Sequence, residues 1–168
     1  MKLRQVAALA LGLALAGCTP ELALEGEAIS SPALAPVEVD AADAARMLSQ
    51  IRASEGLSSV VASPTLNAIA QGYADVLARA GVVSHTVDGI FADRLRAGGY
   101  VWVVAGENLG GGYRSLEEAF QRWRASPPHN ANLLMPEINE VGIATAFNVE
   151  SPYRTFWVLI VGRSEPLS

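Results

Sequence analysis

Apolar residues recur every three or four positions through most of the chain between residues 40 and 130, and then switch to a period of two. Asp40 precedes a stripe of Ala44, Met47, Leu48 and Ile51, and Gly56 follows it. This predicts a helix from Ala41 to about Glu55 with the aspartate as its cap. Ser63-Pro64 repeats the signal, a hydroxyl cap before a proline at the first helical position. Leu66, Ile69, Ala70, Tyr73, Leu77 and Ala80 then share one face, and Gly81 stops the helix. A shorter helix is predicted over Phe91 to Ala97, closed by Gly98-Gly99. Ser115-Leu116-Glu117-Glu118 is a capping box, backed by an apolar stripe of Leu116, Ala119, Phe120 and Trp123. Pro127-Pro128 is expected to end that helix.

The last third reads differently. Val141, Ile143, Thr145 and Phe147 alternate with Gly142, Ala144 and Ala146, a strand with one bulky and one small face. Phe156 to Val161 is an unbroken apolar run, as expected of a central strand covered on both sides. Asn148 to Arg154 joins the two as a hairpin loop. Val101 to Ala105 predicts a third strand, and Leu57 to Val61 a short extra one. Helices followed by strands give an α+β class, an antiparallel sheet packed with helices.

The first 39 residues carry a different pattern. Met1-Lys2-Leu3-Arg4 is basic, and Val6 to Ala16 is apolar but too short to span a bilayer, so the segment reads as an export signal. It ends in Leu15-Ala16-Gly17-Cys18, which resembles the lipobox of bacterial lipoproteins. The resemblance implies cleavage before Cys18, a diacylglyceryl group on its sulfur, and the membrane as a partner through that lipid. The competing reading is cleavage after Ala14-Leu15-Ala16, which leaves Cys18 an incidental thiol on a secreted protein. Both take the protein out of the cytoplasm. In a two-membrane host, Thr19 rather than an aspartate after the cysteine favours the outer membrane. Thr19 to Val39 holds Pro20, Pro32, Pro36 and Ser30-Ser31 without an aromatic residue and reads as a tether. Flexible chain of that length spans roughly 25 Å. The organisation expected is a signal over 1–17, a lipidated cysteine and tether over 18–39, and one domain over 40–168.

Composition narrows the partners. Removal of residues 1–17 leaves about 151, enough for one domain with a core, and 51% of the chain is hydrophobic. Without Lys2 and Arg4, ten arginines face seventeen acidic residues, a net charge of about −7. That argues against a nucleic acid or an anionic membrane held by electrostatics. Cys18 is the only cysteine, so no internal disulfide staples the fold.

Candidate chemistry is sparse. The two histidines, His85 and His129, lie in polar, turn-rich contexts: Ser84-His85-Thr86, and Ser126-Pro127-Pro128-His129-Asn130. Between them Gly106-Glu107-Asn108 places a carboxylate on a glycine-bracketed segment, with Gly110-Gly111-Gly112 beyond it. Spacing alone leaves two readings open. The three form a site, or each histidine bonds a loop carbonyl and Glu107 caps backbone N–H groups.

A longer series of blocks bears on this choice: Ser84-His85-Thr86; Phe91-x-Asp93-Arg94-Leu95-x-Ala97-Gly98-Gly99-Tyr100; Ala105-Gly106-Glu107-Asn108-Leu109; Trp123-x-x-Ser126-Pro127-x-His129-x-Ala131-Asn132-Leu133-Leu134; and Val141-Gly142-Ile143. In order and spacing these resemble the CAP superfamily of cysteine-rich secretory proteins, antigen 5 and pathogenesis-related proteins, also called SCP-like. The resemblance runs from about Asp40 to Gly162 and is nearest the cysteine-poor bacterial branch. It implies an α-β-α sandwich around a central antiparallel sheet, with a cleft of two histidines and two acidic residues. In several members that cleft binds a divalent metal, often zinc, through the histidines. His85 and His129 match the histidines and Glu107 one glutamate, whereas Ser126 stands where the second glutamate is expected. The implied cleft is therefore His85, Glu107, Ser126 and His129, with His85 and His129 as metal ligands. Two imidazoles and one carboxylate can hold zinc with an open position. Alternatively Glu107 orients one imidazole and leaves two protein ligands. Asn108 and Asn132 match family positions and are read as bonding loop backbone. Arg124 is read as solvated helix face, and Tyr100 and Trp102 as core aromatics.

Two functions follow from the resemblance. One is a binding module at the cell envelope, its ligand a small lipid, a glycan or a protein. The other is a metal-dependent hydrolase in which Glu107 acts as general base on a metal-bound water. A serine relay through Ser84 is disfavoured, because adjacent Ser84 and His85 point to opposite sides of an extended chain. The prolines between Ser126 and His129 leave that pair's geometry open. No nucleophile elbow is present. The binding module is the expectation, with no catalytic residue assigned.

Overall fold

Caps and glycines set the element boundaries in the computed structural model, which describes residues 36–165. The export signal, Cys18 and most of the predicted tether lie outside the described residues. In chain order the elements are α1 (Ala41–Ser54), β1 (Val61–Ala62), α2 (Pro64–Ala80), α3 (Phe91–Ala97), β2 (Trp102–Gly111), α4 (Leu116–Ala125), α5 (Pro127–Leu133), β3 (Glu140–Phe147) and β4 (Thr155–Ser164). Asp40 Oδ1 accepts from the N–H groups of Ala42 and Asp43 at 2.7 and 3.0 Å, satisfying two orphan donors of α1. Ser115 Oγ does the same for Glu118 N–H at 3.2 Å. Gly81 ends α2 in the left-handed region, with φ 69°.

The sheet runs in the order β1-β3-β4-β2. β2 and β3 each pair antiparallel with β4, as expected, but β1 joins β3 in parallel, so the sheet is mixed at one edge. β4 is the central strand and its side chains divide cleanly. Trp157, Leu159 and Val161 pack with Leu48 of α1, Phe120 and Trp123 of α4 and Leu133 of α5. Phe156, Val158 and Ile160 pack with Leu66, Ile69, Tyr73 and Leu77 of α2 and Leu95 of α3. Helices therefore cover both faces, the α-β-α sandwich, and each fully buried side chain of this size contributes about 1.5–3 kcal/mol. The small face of β3 has a purpose: a Cβ on Gly142 would lie 2.3 Å from the carbonyl carbon of Leu66, so α2 rests directly on the strand.

Three boundaries differ from the sequence reading. β2 continues from the predicted Val101–Ala105 segment through Glu107 to Gly111, so the glycine-bracketed segment is a strand and not a loop. Pro127-Pro128 ends α4 but also starts α5, placing His129 on a helix; proline's fixed φ suits the first turn, where its missing N–H is not needed. The packed chain also begins before Asp40. Val37 and Val39 lie against the core, and the Thr145 hydroxyl donates to the Val37 carbonyl.

Arg52 of α1 is wholly buried within the fold. It donates to the carbonyls of Ser58 at 2.7 Å, Leu133 and Met135 at 2.9 Å each, and Ile138 at 3.4 Å. Burial lowers its pKa. It ties α1 to the loop that follows α5.

Candidate functional site

Tyr73 of α2, Arg94 of α3 and Glu107 of β2 stack into a column on one face of the sheet. The Arg94 guanidinium carbon sits 3.5 Å from the centre of the Tyr73 ring. Its Nη2 donates to both Glu107 oxygens at 2.8 Å. Glu107 Oε1 is also 2.8 Å from His85 Nδ1. Side-chain exposure rises along the series, from 2% at Glu107 and 10% at Arg94 to 54% at His85. A carboxylate this deep needs a countercharge, and Arg94 supplies it.

The same guanidinium holds the turn that carries His85. Arg94 Nη1 donates to the carbonyls of His85 at 3.2 Å and Gly89 at 3.1 Å, and the Tyr73 hydroxyl donates to the Ser84 carbonyl. A carboxylate engaged by arginine can only accept, so His85 Nδ1 is the donor of this pair. The Arg94 Nε is buried without a hydrogen-bond partner.

His129 comes from the other face, on the first turn of α5. Asn108 Nδ2 donates to the His129 carbonyl at 3.0 Å, and Asn132 Nδ2 donates to the Glu107 carbonyl at 3.1 Å and to Asn108 Oδ1 at 2.9 Å. A Cβ on Gly106 would fall 2.8 Å from Asn132 Oδ1, so this glycine lets α5 approach β2. Asn108 and Asn132 thus fasten α5 to β2, bonding helix and strand backbone where loop backbone was expected. The pKa of His129 is lowered from its ordinary 6.5, first by burial and then by the charge of His85. Lowered from there, His129 is mostly neutral at pH 7.

The remaining candidates are placed as follows. Ser126 joins α4 to α5 through its backbone, accepting from Asn130 N–H at 2.8 Å, and its side chain makes no capping bond. Ser84 Oγ accepts from Thr86 N–H at 3.3 Å within its own turn. Arg124 is a strap and not a free helix face, donating to Asn130 Oδ1 and Glu55 Oε1 at 3.0 Å each. Tyr100 is buried with its hydroxyl donating to Glu140, and burial followed by that bond raises its pKa. Trp102 is half-buried beneath Arg96, 5.6 Å from the guanidinium.

Arg94 is the residue that sequence reasoning missed. Its signal was its position three residues after Phe91, the spacing of one helix face, and the guanidinium does lie 5.8 Å from that ring. Its presence changes the donor count. Both Glu107 oxygens accept from Arg94, and one also faces His85. Among the described residues no group of three or more His, Cys, Asp or Glu is arranged to hold a metal. A groove of about 640 Å³ between α2 and α3 is lined by Ile69, Gly72, Tyr73, Val76 and Arg94, but not by His85, Glu107, Ser126 or His129.

Comparison with known proteins places this geometry. The profile of the CAP family, described as the cysteine-rich secretory protein family, matches residues 45–161. No curated protein shows significant similarity to the chain. An outer surface protein from Borrelia burgdorferi superposes with a TM-score of 0.66 at 18% identity, over 78% of this chain and 100% of that one. An extracellular protein containing an SCP domain from Bacillus anthracis gives 0.64 at 22% identity, over 73% of this chain and 39% of that one. A cysteine-rich secretory protein from Staphylococcus aureus gives 0.59 at 17% identity, over 73% and 37%. The chain thus spans the whole of the first protein but under two fifths of the other two. At these identities the likeness is one of fold.

Proposed function

The chain belongs to the CAP family of cysteine-rich secretory proteins, and from that premise we propose that it works outside the cytoplasm as a binding module. In this reading it is anchored to a bacterial membrane by lipid on Cys18 and holds a small lipid, a glycan or a protein segment at His85 and His129. One structural neighbour is an outer surface protein and another is extracellular, which supports the location.

The observation that carries the binding reading is the support beneath His85. An imidazole with 54% of its side chain exposed is held through Nδ1 by a carboxylate 2% exposed. Orienting an exposed side chain in advance lowers the ordering cost of binding. His129, kept neutral beside it, offers a second imidazole of undiminished acceptor capacity. The hydrolase reading would need Glu107 to take a proton from a bound water, and its oxygens are engaged by Arg94. A divalent metal such as zinc enters the proposal only as a weakly held ligand of the two imidazoles, since two protein donors fall short of the three or four that zinc sites use.

The test has two arms. Expressed in a bacterium, the full chain should enter the membrane fraction with a lipid-modified mass, and Cys18→Ser should leave it unmodified and outside the cytoplasm. A photo-crosslinking residue at Thr86 should capture an envelope component, with capture lost on His85→Ala; the same residue at Gln121 should not. Residence in the cytosol, or equal capture from both positions, refutes the proposal.

A further inference from the structure

The hairpin loop between β3 and β4, residues 148–154, takes no part in the histidine site, yet its construction is specific. It presents two apolar side chains to solvent, Val149 at 55% and Tyr153 at 43% exposure. Its backbone is satisfied from within. Asn148 N–H donates to the Arg154 carbonyl at 2.8 Å, Ser151 N–H to that of Asn148 at 3.1 Å, and Arg154 N–H to that of Ser151 at 3.1 Å. Side chains close two more: Asn148 Oδ1 accepts from Glu150 N–H at 2.9 Å, and Ser151 Oγ accepts from Tyr153 N–H at 3.2 Å. Asn148 Nδ2 donates to the Ala78 carbonyl at 2.6 Å, tying the loop to the end of α2. In water such N–H groups find partners in the solvent. A loop that has withdrawn them can enter an apolar layer without stranding donors.

The chain also enters the domain at this end. Pro36 and Val37 share a cleft with Thr145, Ala146 and Phe147, and the Thr145 hydroxyl donates to the Val37 carbonyl. The route from Cys18 thus arrives beside the last residues of β3. Val82, just past the α2 cap, is exposed here as well. A Cβ on Gly111 would lie 2.7 Å from Tyr153 Cδ1 and 2.9 Å from Val83 Cγ2, which puts the two loops side by side. The charges of the hairpin loop, Glu150 and Arg154, are of opposite sign and suit headgroups that carry both signs. Val101 and Val103 are exposed too, but at the start of β2, where Trp102 pairs with Ser164 at the far end of the sheet.

We propose that the 148–154 loop is a bilayer-contact tip: with the chain anchored through Cys18, Val149, Tyr153 and Val82 rest in the headgroup layer of a zwitterionic membrane. The proposal rests on the lipid anchor of the proposed function. On the reading of residues 19–35 as a tether, a span of roughly 25 Å keeps this end at the surface. Anchoring supplies the local concentration, so three side chains suffice where an unanchored domain would not bind. The apolar ring and polar tip of Tyr153 fit such a boundary. The anchored domain is thereby given one orientation.

Spin labels test the contact. In the full lipid-modified chain the Cys18 thiol is consumed, so Val149→Cys, Val82→Cys and the far-end control Val103→Cys each accept a single nitroxide. In phosphatidylcholine vesicles, labels at 149 and 82 should lose collisions with a water-soluble nickel chelate by about threefold and gain collisions with oxygen. The label at 103 should change in neither. The same labels on Cys18→Ser protein in buffer give the starting values, and circular dichroism checks each fold. Adding Val149→Asp and Tyr153→Asp should return the label at 82 to the control value.

Labels at 149 and 82 that stay as open to nickel as the one at 103 overturn the proposal and leave the anchor standing. Equal immersion of all three refutes the orientation. A label at 149 shielded from nickel and oxygen alike means that protein, a second copy included, covers the loop, and this also overturns it. A Cys18 that takes up label in the full chain, or a chain absent from the vesicle fraction, overturns the anchor and the tip together.

Discussion

Two arginines turn inward on opposite faces of the same sheet, Arg52 wholly buried and Arg94 partly, and the molecule treats them differently. Arg52 is satisfied by backbone carbonyls of Ser58, Leu133, Met135 and Ile138, and no ion pair involving it occurs among the described residues. Arg94 is matched to one carboxylate and, through it, to an exposed imidazole. The first arrangement closes on itself: every polar group it uses lies in the interior or in a loop it holds. The second is open at one end, because the charge inside the fold sets the proton position of a ring outside it. A buried charge whose partners are carbonyls fixes architecture; one whose partner is ionisable and leads to the surface fixes chemistry.

The largest way to break the contrast is Glu107→Ala. It strands the Arg94 charge in the interior and should cost about 3–5 kcal/mol, read from chemical denaturation. The double change Arg94→Met with Glu107→Leu should recover most of that loss, since the pair is replaced by packing. Arg52 has no such compensating partner. Arg52→Met leaves four carbonyls without a donor and should cost about 3 kcal/mol, with the His85–Glu107 bond unaltered in histidine ¹⁵N spectra. A weaker probe is Tyr73→Leu, which removes the ring under Arg94 and the hydroxyl that holds Ser84. About 2 kcal/mol is expected, measured by thermal melt.

The smallest effect sharpens the picture through pH. The pKa of His129 in the folded protein lies below its ordinary 6.5, so below that pH the unfolded chain takes up a proton that the folded one declines. Stability from this group is complete above about pH 6.5 and is lost as pH falls from there toward the folded-state value. His129→Asn should flatten that part of the curve. Denaturation midpoints of the two proteins at pH 7.5 and pH 5 supply the comparison, and parallel slopes would contradict it.

Much of this architecture was legible before any coordinates. Asp40, Ser63 and Ser115 announced three helices because a side-chain oxygen before an apolar stripe has few other uses. The small face of β3 and the two-faced β4 were equally plain, since period-two patterning is set by side chains alone. β2 was half hidden. Gly106, Gly110 and Gly111 lower strand propensity, and their need for closeness to Asn132, Tyr113 and Tyr153 is a tertiary fact. The start of α5 was masked because proline reads as a stop and a start alike. At the site, His85, Glu107 and His129 could be chosen from the blocks that resemble the family. Arg94 stands in one of those blocks too, but nothing local tells whether an arginine on a short helix turns to solvent or to a carboxylate thirteen residues on. Arg52 was hidden for the same reason.

The side chains that fasten α5 also finish an exposed margin of the sheet. β2 is an outer strand, and an outer strand offers unpaired carbonyls on which a second chain can template itself. Here the carbonyl of Glu107 accepts from Asn132 and that of Leu109 from the Trp123 indole at 2.9 Å. At the opposite margin β1 is only two residues long, too short to seed a ladder. A neighbouring copy laid along β2 therefore finds the carbonyls of Glu107 and Leu109 already occupied from within the fold.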